Sequence, residues 1–161
     1  MFSLTVVFVT AATAQTVLTT LDGGSVDLDG QKGKVVVLAV GAAWLPLCAK
    51  QAEFTNALAK KYAGKDVVFY FVATDSTNVK SKNFMSPEDV RKFAGTNKIG
   101  VTVLRDSDGI VTLKKYKFDQ VPAFVILDKN GVRSGEPFGG ISTDPKYDLT
   151  IQISKAIDKI L

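Results

Sequence analysis

Two apolar runs, Lys34-Val35-Val36-Val37-Leu38-Ala39-Val40 and Val67-Val68-Phe69-Tyr70-Phe71-Val72-Ala73, decide how this chain folds. Each is continuous rather than alternating, the pattern of a strand covered on both faces, as in parallel sheets. Between them, residues 46–62 place Phe54, Leu58 and Tyr62 four apart, with Lys50, Glu53, Lys60 and Lys61 elsewhere around the turn. That spacing predicts an amphipathic helix. Parallel neighbours need a crossover of about a dozen residues, usually helical, so the three segments form a βαβ unit.

Toward the N-terminus, residues 16–21 and 25–28 flank Asp22-Gly23-Gly24, a hairpin turn in which glycine supplies the positive φ. On the other side, Ser86-Pro87-Glu88-Asp89 reads as an N-cap, a first-position proline and first-turn acids, starting a helix through about Phe93. Residues 101–104 form a short strand. Residues 123–127 and 132–134 flank Asp128-Lys129-Asn130-Gly131 as an antiparallel hairpin, and Leu149, Ile153, Ile157 and Ile160 line one face of a last helix. No repeat, low-complexity tract or linker divides the chain, so residues 15–161 read as one α/β domain.

The composition excludes several classes. A hydrophobic content of 46% against 22% charge rules out a disordered chain, and no apolar run reaches the roughly 18 residues of a membrane span. The net charge of +4 comes from 20 Lys and Arg against 16 Asp and Glu. Its densest group, Lys114, Lys115 and Lys117, is closed by Asp119, and no basic stripe with interleaved aromatics points to nucleic acid. One cysteine and no histidine leave no internal disulfide, no Cys-His or Ser-His couple and no imidazole ligand. Asp106-x-Asp108-Gly109 begins like a calcium loop, but Val111 stands where that loop needs Gly and Lys117 where it needs Glu, so it reads as a turn. Gly139-Gly140 lies in a loop without a phosphate-cradling pattern. No metal and no cofactor is implied.

Residues 1–14 carry no charge, are apolar over residues 4–9 and end Ala12-Thr13-Ala14 before Gln15, an A-x-A cleavage pattern. They read as most of a secretory signal peptide lacking its positive n-region; the alternative is a strand rich in Thr, Val and Phe. With the signal, the mature chain begins near Gln15 and works in an oxidising compartment, periplasmic or otherwise extracytoplasmic.

Gly33-Lys34-Val35-Val36-Val37-Leu38, Trp44-Leu45-Pro46-Leu47-Cys48 and Val121-Pro122-Ala123-Phe124-Val125-Ile126-Leu127-Asp128 together resemble the thioredoxin-like superfamily. The match is to the TlpA/ResA-like branch of exported thiol-disulfide oxidoreductases, close to the AhpC/TSA redoxin group. The resemblance implies a thioredoxin fold, a central mixed β-sheet flanked by helices with an N-terminal β-hairpin and a central insertion. It also implies a protein or peptide thiol partner.

Family chemistry needs two thiols in the first turn of a helix, an exposed nucleophile and a resolving partner. On the resemblance, Leu45 holds the nucleophile position and Cys48 the resolving one. Gln51 stands in place of an active-site Glu, Ala39 in place of a buried Asp, and Glu53 in place of a helix-bending Pro. The dithiol cycle within one molecule is therefore absent. Gly41 and Leu45 also replace the Pro and Thr of the peroxiredoxin pattern around Cys48. Two readings of Cys48 stand: a reactive monothiol with redox or antioxidant chemistry, or a buried small hydrophobe. The helix N-terminus lowers its pKa and burial raises it. Val121-Pro122 is the family's cis-proline site. It either retains a groove with Trp44 and Leu45 for an extended partner peptide, or only shapes the loop entering a strand. Trp44 is platform or core.

Overall fold

The computed structural model describes residues 15–161; the expected signal segment at residues 1–14 lies outside them. The first hairpin forms as β1 (Val17–Thr20) and β2 (Ser25–Asp27), with Leu18 opposite Val26. The two apolar runs become β3 (Val35–Gly41) and β4 (Val67–Ala73), paired in parallel with Gly41 opposite Ala73. Between them lies α1 (Leu47–Lys61), entered through Pro46 and closed by Lys60 and Lys61, cations that suit its C-terminal dipole. Then come α2 (Pro87–Thr96), β5 (Thr102–Arg105), α3 (Thr112–Tyr116), β6 (Ala123–Leu127) and α4 (Leu149–Asp158).

One six-stranded mixed sheet results, in the order β2-β1-β5-β4-β3-β6. Strand β3 lies within it, parallel to β4 and antiparallel to β6. Its residues alternate between two cores. Val35, Val37 and Ala39 pack with Phe54, Leu58 and Tyr62 of α1, Val90 of α2, and Ile153 and Ile157 of α4. Val36, Leu38 and Val40 pack on the other face with Leu18, Leu28 and Tyr116. Covering both faces explains why β3 reads as an unbroken apolar run.

Three local features differ from expectation. Helix α2 runs on to Thr96, three residues past Phe93, because Gly95 does not stop it and the Asn97 side chain caps it, donating to the Phe93 carbonyl at 2.9 Å. Residues 132–134 do not make a regular strand. They give a single bridge, Leu127 to Arg133, and the next rung is Phe124 to Phe138, so the outer segment carries two extra residues. Gly135 at φ 74° and Pro137, which lacks an N–H, fill the break. Helix α3 has no counterpart in the sequence pattern. Asp106 starts it from six residues upstream, accepting from the Val111 N–H at 3.1 Å, the Thr112 N–H at 2.8 Å and the Thr112 hydroxyl at 2.6 Å.

Candidate functional site

Strand register gathers the predicted residues at one pole. Gly41, Ala73 and Arg105 lie side by side at the ends of β3, β4 and β5, and Ala123 opens β6 opposite Val40. The loop 42–46, the segments after Ala73 and Arg105, and Val121–Pro122 therefore share that end of the sheet. The Val121–Pro122 peptide is cis. Trp44 and Leu47 are 42% and 40% exposed, Val121 and Pro122 are half-buried, and Leu45 packs partly on the core. Val79, Ile110 and Val111 add exposed apolar surface to the segments leaving the same pole.

The chain turns tightly into α1. The Leu45 N–H donates to the Ala42 carbonyl at 3.1 Å, and the Cys48 N–H donates to the Leu45 carbonyl at 3.0 Å. This turn leaves Leu45 half-buried against the core and turns Cys48 fully inward. Cys48 is fully buried between α1 and β3, and its Sγ accepts the Ala42 N–H at 3.3 Å. Burial pushes its pKa up to about 11; the Ala42 hydrogen bond opposes the rise and the Asp75 charge adds to it. Burial is the largest influence on this thiol.

Gln51 is also fully buried. Its Nε2 donates to the Val40 carbonyl at 3.2 Å and the Ala123 carbonyl at 3.0 Å, tying together the first residue of β6 and its partner on β3. Its Oε1 has no partner among the described residues. Ala39 is buried in the sheet, and Glu53 faces solvent in a 2.6 Å ion pair with Lys50.

Asp75 escaped the sequence reading. It is fully buried just beyond β4, and its two carboxylate oxygens accept the Ala43 N–H at 2.8 and 3.0 Å, holding the loop that carries Trp44. Burial raises its pKa, opposed by the Ala43 N–H and by Arg105. The sequence carried only a partial signal, an acid two residues past the carboxyl end of a buried parallel strand, the end where α/β folds place their ligands; its burial was not legible. Among the described residues no group of three or more His, Cys, Asp or Glu is placed to hold a metal.

Residues 8–134 match the family model of Redoxin. The chain belongs to the Redoxin family. Similar proteins include the thioredoxin-like protein YneN of Bacillus subtilis (strain 168), 34% identical over 115 residues that make up 71% of this chain and 62% of that one. The thiol-disulfide oxidoreductase ResA of Bacillus anthracis is 31% identical over 115 residues, 71% of this chain and 61% of that protein. The chain thus spans about three-fifths of the length of the curated relatives it matches. Among solved structures, the exposed lipoprotein thioredoxin of Streptococcus pneumoniae strain TIGR4 superposes with a TM-score of 0.70 at 25% identity, covering 91% of this chain and 99% of that one. Redoxin membership, the ResA-like relatives and the thioredoxin fold agree with the resemblance read from the sequence. With one cysteine, this family member has no C-x-x-C dithiol.

Proposed function

We propose that this Redoxin-family chain is a thioredoxin-fold binding module that holds an extended segment of a partner protein against Trp44, Leu45, Val121 and Pro122, with no thiol exchange of its own. The observation that carries this reading is the contrast at the start of α1: Cys48 is fully buried with its pKa pushed up to about 11, while Trp44 and Leu47 face solvent. Disulfide exchange begins with a thiolate attacking a sulfur, and release of the resulting mixed disulfide needs a second thiol. Leu45 supplies no attacking thiol. Raising a thiol from 9.0 to about 11 also cuts its thiolate fraction near neutral pH roughly a hundredfold, before access is considered. These facts weigh against monothiol redox or antioxidant chemistry at Cys48. Leu45 makes the surface more apolar than a cysteine would, which favours an apolar stretch of polypeptide. Residues 15–161 act as one domain on this reading. Its place is extracytoplasmic, supported by the Ala12-Thr13-Ala14 pattern and by the likeness to an exposed lipoprotein thioredoxin.

Thiol labelling together with a peptide titration tests this function. Iodoacetamide at pH 7.5 should modify Cys48 slowly in the native protein and quickly once it is denatured. Dithiol-driven insulin reduction should show no catalysis. Carboxymethylated insulin B chain, which cannot exchange disulfides, should change the fluorescence of Trp44, the sole tryptophan, in a saturable way. Rapid native labelling or insulin turnover would overturn the inert-thiol reading, and an unresponsive Trp44 would overturn the binding surface.

A further inference from the structure

Two adjoining clefts of about 440 and 300 Å³ lie between the β1–β2 turn and α2, sharing Thr20, Leu21, Asp22 and Arg91. The larger is lined as well by Thr77 and Arg105, and neither cleft includes Trp44, Leu45, Val121 or Pro122. Two guanidinium groups from different elements therefore line one cleft.

Their charges are incompletely used. Arg91 donates to the Leu21 carbonyl and pairs with Glu88 at 2.7 Å, but that pair is open to solvent, where ion pairs contribute little and exchange readily. Arg105 donates through Nη2 to the Met85 carbonyl at 3.1 Å and, at 3.4 Å, to the Asp75 carbonyl. Its Nη1 is buried without a partner among the described residues. Buried guanidinium donors are normally satisfied, and an orphan beside a cleft points to a water or ion that completes the site. Asp22, which lines both clefts, accepts from the Thr20 hydroxyl and from the Gly24 N–H at 3.3 Å and feels the Arg91 charge, and the buried Asp75 carboxylate, which accepts the Ala43 N–H, feels that of Arg105; among the described residues neither acid makes a direct ion pair with these arginines.

We propose that this cleft binds a small oxyanion, the carboxylate or phosphate group of a ligand, anchored by Arg105 and flanked by Arg91. The planar donor fork of arginine matches such a group in two-point contacts. The Thr20 and Thr77 hydroxyls also lie on the cleft wall, the first donating to Asp22 and the second to the Ser107 hydroxyl at 3.1 Å. The site goes beyond the peptide surface proposed above, and each can fail without the other.

Backbone amide NMR on the intact chain at low ionic strength tests the proposal, with inorganic phosphate in one arm and acetate in the other. At least one probe should produce saturable shifts at Thr20, Thr77 and Arg91, and the arm that responds says whether a phosphate or a carboxylate is preferred. Arg91→Gln, on the exposed side of α2, and Arg105→Lys, which keeps a charge and a donor near the Met85 carbonyl, should each weaken binding about tenfold. Lys155→Gln, on α4, should leave it unchanged. No saturable shift in the cleft from either probe, or full affinity in either arginine variant, overturns the site.

Discussion

Cys48 illustrates how position outweighs residue type. Its place in the first turn of α1 is where a thiolate is normally favoured, yet the side chain is sealed under β3 and its pKa rises from 9.0 to about 11. A folded-state pKa above the unfolded one means the native state holds the proton more tightly. That stability is fully present below pH 9 and is lost as pH climbs toward 11, about 2 to 3 kcal/mol across the window. Cys48→Ala removes the titration, so urea unfolding from pH 8 to 11 should show wild type losing its advantage over the variant in that range. A gap independent of pH would place the thiol in contact with water. Gln51 makes a parallel point. Its amide donates to two carbonyls, Val40 and Ala123, that an ionised carboxylate could only repel. The neutral residue is built into the hydrogen bonding of the pole.

At the scale of elements, α1 can approach β3 closely because Gly41 ends that strand. A Cβ added at Gly41 would fall against the Gln51 Oε1 and within 2.7 Å of the Cys48 Sγ. Gly41→Ala should therefore cost about 1 to 3 kcal/mol by overpacking, read as a lower urea midpoint with an unchanged slope. The elements legible in the sequence were those whose signal is local and repeated: the apolar runs of β3 and β4, the four-residue spacing in α1 and α4, the Ser86 N-cap with its first-position proline and first-turn acids in α2. Cys48 and Gln51 could be placed on α1 for the same reason. What could not be read depended on distant partners. Five-residue α3 has no period to detect and owes its start to the Asp106 carboxylate, while the burial of Asp75 is created by the Trp44 loop folding over it. The burial of Cys48 likewise depends on the β3–α1 seam.

Across the whole molecule, parallel β3, β4 and β5 send their loops to one end, and antiparallel β6 starts there. The apolar residues of the proposed peptide surface come from segments far apart in sequence but adjacent in this topology. The same architecture predicts what a single substitution can restore. Leu45 and Cys48 flank the turn into α1, with the Cys48 N–H donating to the Leu45 carbonyl at 3.0 Å. Leu45→Cys should therefore form an internal disulfide under mild oxidant, seen as the loss of two free thiols and of about 2 Da by mass spectrometry. Two persistent thiols would mean that the turn does not bring these positions together.

The interrupted segment beyond β6 has a consequence for how neighbouring chains meet. An exposed, regular edge strand invites another chain to extend the sheet. Here the outer side of β6 is covered by separated rungs at Arg133 and Phe138, with Gly135 and Pro137 between them. The opposite edge, β2, is three residues long and ends in Asp27. Among the described residues neither flank offers a straight run of unpaired N–H and C=O groups, so these edges are poorly suited to seed edge-to-edge aggregation.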